Sequence, residues 1–280
     1  IISKATTPPI ITSRSFNNTS LKVVFIPQGA TDAYKEAWGT NYTYVEDTLS
    51  LTVHVPNPGG LAAEIVKLGH MPAKVTKLKV TGTLNDTDYA VMRVNMAKLY
   101  SLDLSGITNT SIPTSAFENK TTLLEIILPT NLQSIGNSAF KACPISTLVL
   151  PNSVTSIGQN AFYGCKGLST IDFGDDCNIG SSAFYNCVSL KDITVNGTIG
   201  SSAFYGCKSL RKATLGNSVI SIGTDAFYNC TVLSSVDYKG SIKDWCNISF
   251  GDLESNPLYY ANNLYIQGNK VENLEILDGI

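Results

Sequence analysis

One five-residue phrase keeps returning along this chain. AFKAC ends at Cys143, AFYGC at Cys165, AFYNC at Cys187, AFYGC at Cys207 and AFYNC at Cys230. Its phenylalanines are Phe140, Phe162, Phe184, Phe204 and Phe227, and Phe117 in SAFEN is a degenerate sixth. Successive intervals are 23, 22, 22, 20 and 23 residues. A period of this length, sustained over more than 100 residues, specifies a stacked solenoid rather than a closed globule. A solenoid works through long faces, so function is sought on lanes of equivalent residues.

Between two phenylalanines the pattern is regular. The pairs Ile126 and Leu128, Leu148 and Leu150, Ile171 and Phe173, Ile193 and Val195, Ala213 and Leu215, and Val236 and Tyr238 are each spaced by two. That alternation predicts a short half-buried strand. A turn follows, with Pro129, Pro151, Gly174 or Gly216. An isoleucine then precedes a glycine, as in Ile157-Gly158 and Ile179-Gly180. Burying one large apolar side chain is worth roughly 1.5–3 kcal/mol. Ordering each backbone residue costs about 1–2 kcal/mol. One rung cannot stand alone, so Phe117, Phe140, Phe162, Phe184, Phe204 and Phe227 are expected to form a ladder through a shared core.

Residues 145–168, ISTLVLPNSVTSIGQNAFYGCKGL, carry the strand, LP turn, SIG step and AF-x-x-C ending together. They resemble the BspA-like, or Treponema-pallidum-type, leucine-rich repeat. The match is specific from Leu123 to Leu233 and looser outside. The segment Ile2–Glu46, with ATTPP at residues 5–9, then FIPQGATDAYKEAW and YVE, is similar to a segment that often closes a repeat array in Bacteroidetes surface proteins. Residues 235–276, from SVDYKG to NLEI, are similar to an irregular module found late in such arrays. The resemblance implies a leucine-rich-repeat solenoid with a parallel β-sheet on its concave face. The convex side would be mostly irregular or short-helical, with a small α/β N-terminal flank. It also implies a non-enzymatic protein on the outer surface of a gut or oral bacterium. Its expected partners are host matrix, epithelial or bacterial surface proteins, with no cofactor.

The chain divides accordingly. Residues 1–47 form an N-terminal flank, read as strand, short helix (Thr31–Trp38) and extended piece. Residues 48–98 form an α/β transition: residues 49–55, LSLTVHV, alternate as a strand, Leu61–Leu68 has a helical pattern, and the first rung spans Leu78–Leu99, with a helix capped by Asn85 or Asp86. Repeats fill 99–238, and 239–280 make an irregular cap with a short helix and a hairpin near Gly268-Asn269. Eight parallel strands are expected. The first residues enter mid-repeat and ENLEILDGI stops where another rung would begin, which favours a segment of something longer. Hydrophobic content of 43% and charge content of 15% are globular values. The net charge is −2 without a basic block, which argues against nucleic acid. No apolar run approaches the ~18 residues of a membrane span, and no signal peptide opens the sequence.

Five of the seven cysteines (Cys143, Cys165, Cys187, Cys207, Cys230) share one lane, while Cys177 and Cys246 do not. Repeat spacing without a C-x-x-C pair argues against zinc. Neighbouring rungs come within bridging distance, but in-register side chains point the same way, so buried free thiols are expected. The only histidines, His54 and His70, lie outside that lane, which argues against a Cys-His nucleophile. Asp175-Asp176 reads as a solvated turn. No hydrolase, phosphate-loop or EF-hand motif is present.

Binding is expected on outward strand positions. The lane Lys79, Asp103, Ile127, Val149, Asp172, Thr194, Thr214 and Asp237 is short and mixed in charge, and it lacks the aromatics a sugar platform needs. Lys77, Ser101, Glu125, Thr147, Thr170, Asp192, Lys212 and Ser235 form its companion. A second candidate is the convex row Tyr163, Tyr185, Tyr205 and Tyr228, either a shielding stack or a contact strip. The alternatives to a binding module are a spacer projecting other domains and a glycan-processing hydrolase. The latter needs an acid pair in a cleft, whereas Asp172 and Asp192 fall on an open sheet.

Overall fold

A computed structural model describes residues 7–9, 23–27, 30–47, 49–173 and 176–272. Among them, ten strands lie side by side in chain order: Ser50–Val55, Lys77–Gly82, Ser101–Ile107, Glu125–Ile127, Thr147–Val149, Thr170–Asp172, Asp192–Val195, Lys212–Leu215, Ser235–Tyr238 and Asn263–Ile266. Every ladder joining them is parallel. The sheet therefore exceeds the eight expected strands by one at each end. Those terminal rungs lack the AF-x-x-C phrase, so the period does not count them, although the alternation of residues 49–55 already reads as the first strand. Helix α2 (Leu61–Lys67) carries the chain over the convex side in the first, and a helix at Ile242–Cys246 does so in the last.

The N-terminal unit has its own small core. Strands Val23–Pro27 and Thr43–Asp47 pair in parallel, Val23 opposite Thr43, with α1 (Thr31–Trp38) between them. Val24, Ile26, Ala30, Tyr34 and Trp38 fill that core. Its offset of one strand against the next equals a short rung. The helix Asp86–Ala90 (α3) starts at a capping box: Asn85 accepts from Thr87 and Asp88, and Asp88 accepts from the Asn85 amide. Asp88 is fully buried, and its carboxylate also accepts from Gly59 and Leu61 at 2.6 and 2.9 Å. That carboxylate ties the start of α2 to the next rung.

One continuous core runs from Val53 to Leu264. The six phenylalanines stack through it with centroids 5.1–5.5 Å apart, all fully buried. Tyr89 closes the near end edge-on at 5.8 Å.

The convex side is more ordered than an irregular connection. Ser111–Ile112, Ser134–Ile135, Ser156–Ile157 and Asn178–Ile179 form a second, narrow parallel sheet. Its register continues through Ile199 and Ile222 to Phe250. The glycine after each isoleucine permits the approach. A Cβ on Gly180 would lie 2.7 Å from the Ile157 carbonyl oxygen and from the Gly158 carbonyl carbon. The AF-x-x-C turns that follow hydrogen-bond forward, with the Ser138, Phe140 and Ala142 amides donating to Gln159, Ala161 and Tyr163. Residues before the Cys position are left-handed: Asn119, Ala142, Gly164, Asn186, Gly206 and Asn229. This explains the alternation of Gly and Asn there.

Candidate binding surfaces

The strand register brings each predicted outward lane together. Lys79 faces Asp103, Asp103 faces Ile127, Val149 faces Asp172, Thr194 faces Thr214, and Thr214 faces Asp237. The last strand adds Tyr265 beside Asp237, a position the period did not reveal.

The lane is not uniform. At its start Lys79 bonds Asp103 at 2.9 Å, and the Ser105 amide donates to the same carboxylate at 2.8 Å. Partial burial pushes the Asp103 carboxyl up, but the Ser105 and Lys79 hydrogen bonds and the lysine charge outweigh it. The group lies below its ordinary value. At the far end Asp237 is only 8% exposed. Its Oδ2 meets Lys239 at 2.7 Å and Lys212 at 3.6 Å, while its Oδ1 is buried without a hydrogen-bond partner. Both ends are therefore neutralised by lysines.

Between them stand Ile127, 56% exposed, and Val149, 80% exposed. No backbone ladder joins their strands, although the two lie adjacent. The ladder is likewise interrupted between Thr170–Asp172 and Asp192–Val195, which also lie adjacent. Glu125, Thr147, Thr170, Asp172 and Thr194 surround the apolar pair and are solvent-exposed.

The tyrosine row exists as a stack. Tyr163 and Tyr185 lie 4.7 Å apart and Tyr185 and Tyr205 4.5 Å, nearly parallel, and Tyr228 follows at 5.0 Å, tilted by 31°. Lys141 sits over the outer face of Tyr163 at 5.9 Å. The ring faces cover one another, so mainly edges and hydroxyls remain for a partner.

The five lane cysteines are buried free thiols. Each donates to the phenylalanine carbonyl of the preceding rung: Cys143 to Phe117, Cys165 to Phe140, Cys187 to Phe162, Cys207 to Phe184 and Cys230 to Phe204, at 3.1–3.3 Å. Burial pushes the Cys143 and Cys230 thiols up to about 12, and Cys165, Cys187 and Cys207 well above the usual value. These are packing groups, poor as nucleophiles. Among the described residues no group of three or more His, Cys, Asp or Glu is placed to hold a metal ion. Asp176 accepts from Asn196 at 3.1 Å; Asp175 lies outside the described residues. No described helix is long and apolar enough to cross a membrane.

The pattern of the BspA type leucine rich repeat region matches residues 94–199 and 178–273, in six copies. The chain belongs to this family. Its repeats extend past Tyr238 through the module that reads as irregular in sequence. A leucine-rich repeat protein from Bacteroides ovatus is similar in fold at 23% identity and a TM-score of 0.51. The likeness covers 78% of this chain and 52% of that one, so the chain spans about half its length. The Treponema pallidum leucine rich repeat protein matches at 26% identity and a TM-score of 0.44, over 50% of this chain and 71% of that one. A protein described as a leucine rich cell surface protein, from Faecalibacterium prausnitzii, matches at 18% identity and a TM-score of 0.26, over 89% and 92%. No curated protein matches this BspA-type chain.

Proposed function

We propose that this BspA-type repeat chain is a non-enzymatic binding module on a bacterial surface. It engages proteins of a host matrix, an epithelium or another bacterium through its open strand face. The observation that carries this reading is the solvent-facing pair Ile127 and Val149. Two large aliphatics on a polar lane, with the lysine-paired carboxylates kept to either end, make an anchor inside a polar rim. The surface placement follows the family resemblance.

The test is solid-phase binding of the chain to purified matrix proteins and to intact bacterial cells. Ile127→Asp with Val149→Asp is expected to lower capture at least about tenfold, the scale of one lost anchor. Changing Tyr163, Tyr185, Tyr205 and Tyr228 to Ser is expected to leave it intact. Capture lost only in the tyrosine variant would move the site to the convex row.

A second reading is favoured by the unbroken core from Val53 to Leu264. Such a rod can act as a stiff spacer that projects other domains. It requires no partner at either face, and failure of every probe in the same assay would select it.

A further inference from the structure

A different surface stands out on the convex side of the first two rungs. Helix α2, the turn Pro72–Lys74 and the segment Val91–Asn95 pack side by side there. From this corner four large apolar side chains project into solvent: Val66 (60% exposed), Leu68 (52%), Met71 (65%) and Val94 (65%). The core faces of the same elements are filled by Leu61, Ile65, Val75 and Met92, all fully buried. The outer apolar residues are thus surplus to the fold.

The charge here leans basic. Residues 61–74 and 91–98 hold four basic side chains, Lys67, Lys74, Arg93 and Lys98, against Glu64; of the two acids just before them, Asp88 is buried on backbone amides and Asp86 is exposed. Yet the chain as a whole carries a net charge of −2. Glu64 pairs with Lys67 at 2.6 Å, and Arg93 donates to the Ser115 carbonyl.

We propose that this corner docks on an anionic lipid surface. The patch is built from a helix and two tight segments, with no strand among them, so it offers a peptide no backbone ladder. A headgroup layer demands no matching shape. It accepts protruding Met, Leu and Val side chains below the phosphates, while lysine ammonium groups at the same corner meet the phosphates themselves. Met71 sits in the loop between Gly69 and Pro72, and its unbranched thioether adapts to such a medium. The patch is separate from the strand face, so the two surfaces can act independently.

Vesicle flotation of the whole chain tests this. The probes are phosphatidylcholine vesicles with about a third phosphatidylglycerol, and phosphatidylcholine alone. The chain is expected to float with the first and not the second. Met71→Ser with Val94→Ser is expected to abolish flotation. Lys67→Gln and Lys74→Gln are each expected to weaken it about fivefold, the effect of one basic residue near an anionic surface. Circular dichroism of every variant should match the parent, since the altered side chains are exposed. A chain that stays unbound, or that binds equally with all four residues changed, overturns the proposal. So does a dimer in size-exclusion chromatography that Met71→Ser and Val94→Ser dissolve, because the patch would then belong to a second copy.

Discussion

Lys120 takes in its rung the place that Cys143 takes in the next. The Lys120 ammonium donates to the Met96 carbonyl, as the Cys143 thiol donates to the Phe117 carbonyl. Lys120 is 4% exposed, a charged group in a lane of thiols. Burial lowers its pKa to about 8, with Cys143 opposing the shift.

This makes stability depend on pH in a defined sense. The ordinary lysine value is 10.5. Between about 8 and 10.5 the unfolded chain binds more protons at this site than the folded one, so stability rises with pH across that window. Below about 8 both forms are charged, and the penalty is fully present. Lys120→Cys restores the lane and removes the charge. Urea denaturation at neutral pH is expected to show a gain of about 1–3 kcal/mol. At pH 10 the gain should shrink. A variant that melts like the parent at both pH values would refute the assignment.

The phenylalanine ladder bears more of the fold than any strand-face position. Phe184 stacks on Phe162 at 5.1 Å and Phe204 at 5.4 Å, and Phe173 meets its edge at 5.3 Å. Phe184→Ala empties a site closed on all sides, and is expected to cost about 3–5 kcal/mol in equilibrium unfolding. Thr194→Ala, on the exposed lane, is expected to change stability by no more than about 0.5 kcal/mol. Equal losses would show that the core does not run through the rungs.

Two backbone positions separate crowding from conformation. Gly180→Ala drives a Cβ against backbone of the previous rung, which cannot swing aside as a side chain can. A loss of about 1–3 kcal/mol is expected, as for overpacking. Ala142 has the opposite problem: it holds φ +59°, where its repeat equivalents are Gly or Asn. Ala142→Gly relieves a left-handed alanine worth roughly 1–2 kcal/mol, less the entropy it returns to the unfolded chain. Thermal melting should therefore rise slightly for Ala142→Gly and fall for Gly180→Ala.

The lanes were legible in sequence because each is written several times. Phe140 and Phe162 announce their stacking by recurring at the rung period, as do Cys143 and Cys165. In residues 50–76 and 239–272 the helices and the strand Ser50–Val55 are legible from their patterns, but their standing as rungs is not, since helices replace the AF-x-x-C turn and leave no phrase to count. The narrow Ser-Ile sheet was hidden for another reason: two residues per rung give no alternation to detect. On the strand face, Lys79 beside Asp103 follows from the shift of 24 residues. The burial of Asp237 does not, because Lys239 and the strand Asn263–Ile266 create it from outside the clear repeats. Nor does the broken ladder at Ile127 and Val149. The phenylalanine intervals on either side of it, 23 and 22 residues, are ordinary, so the period does not mark it.

The thiols permit a count. Cys143, Cys165, Cys177, Cys187, Cys207 and Cys230 are buried, and Cys246 alone is exposed. A thiolate is the reactive form, and desolvation holds the buried thiols protonated far above neutral pH. With excess Ellman reagent at pH 8, the folded chain is expected to react rapidly at one site, and Cys246→Ser should remove that phase. In denaturant all seven cysteines should react. Fewer than seven under non-reducing denaturation would mean a disulfide between rungs. Rapid reaction of two or more in the folded chain would mean that the lane opens to solvent, against the closed interior that its phenylalanine carbonyl bonds imply.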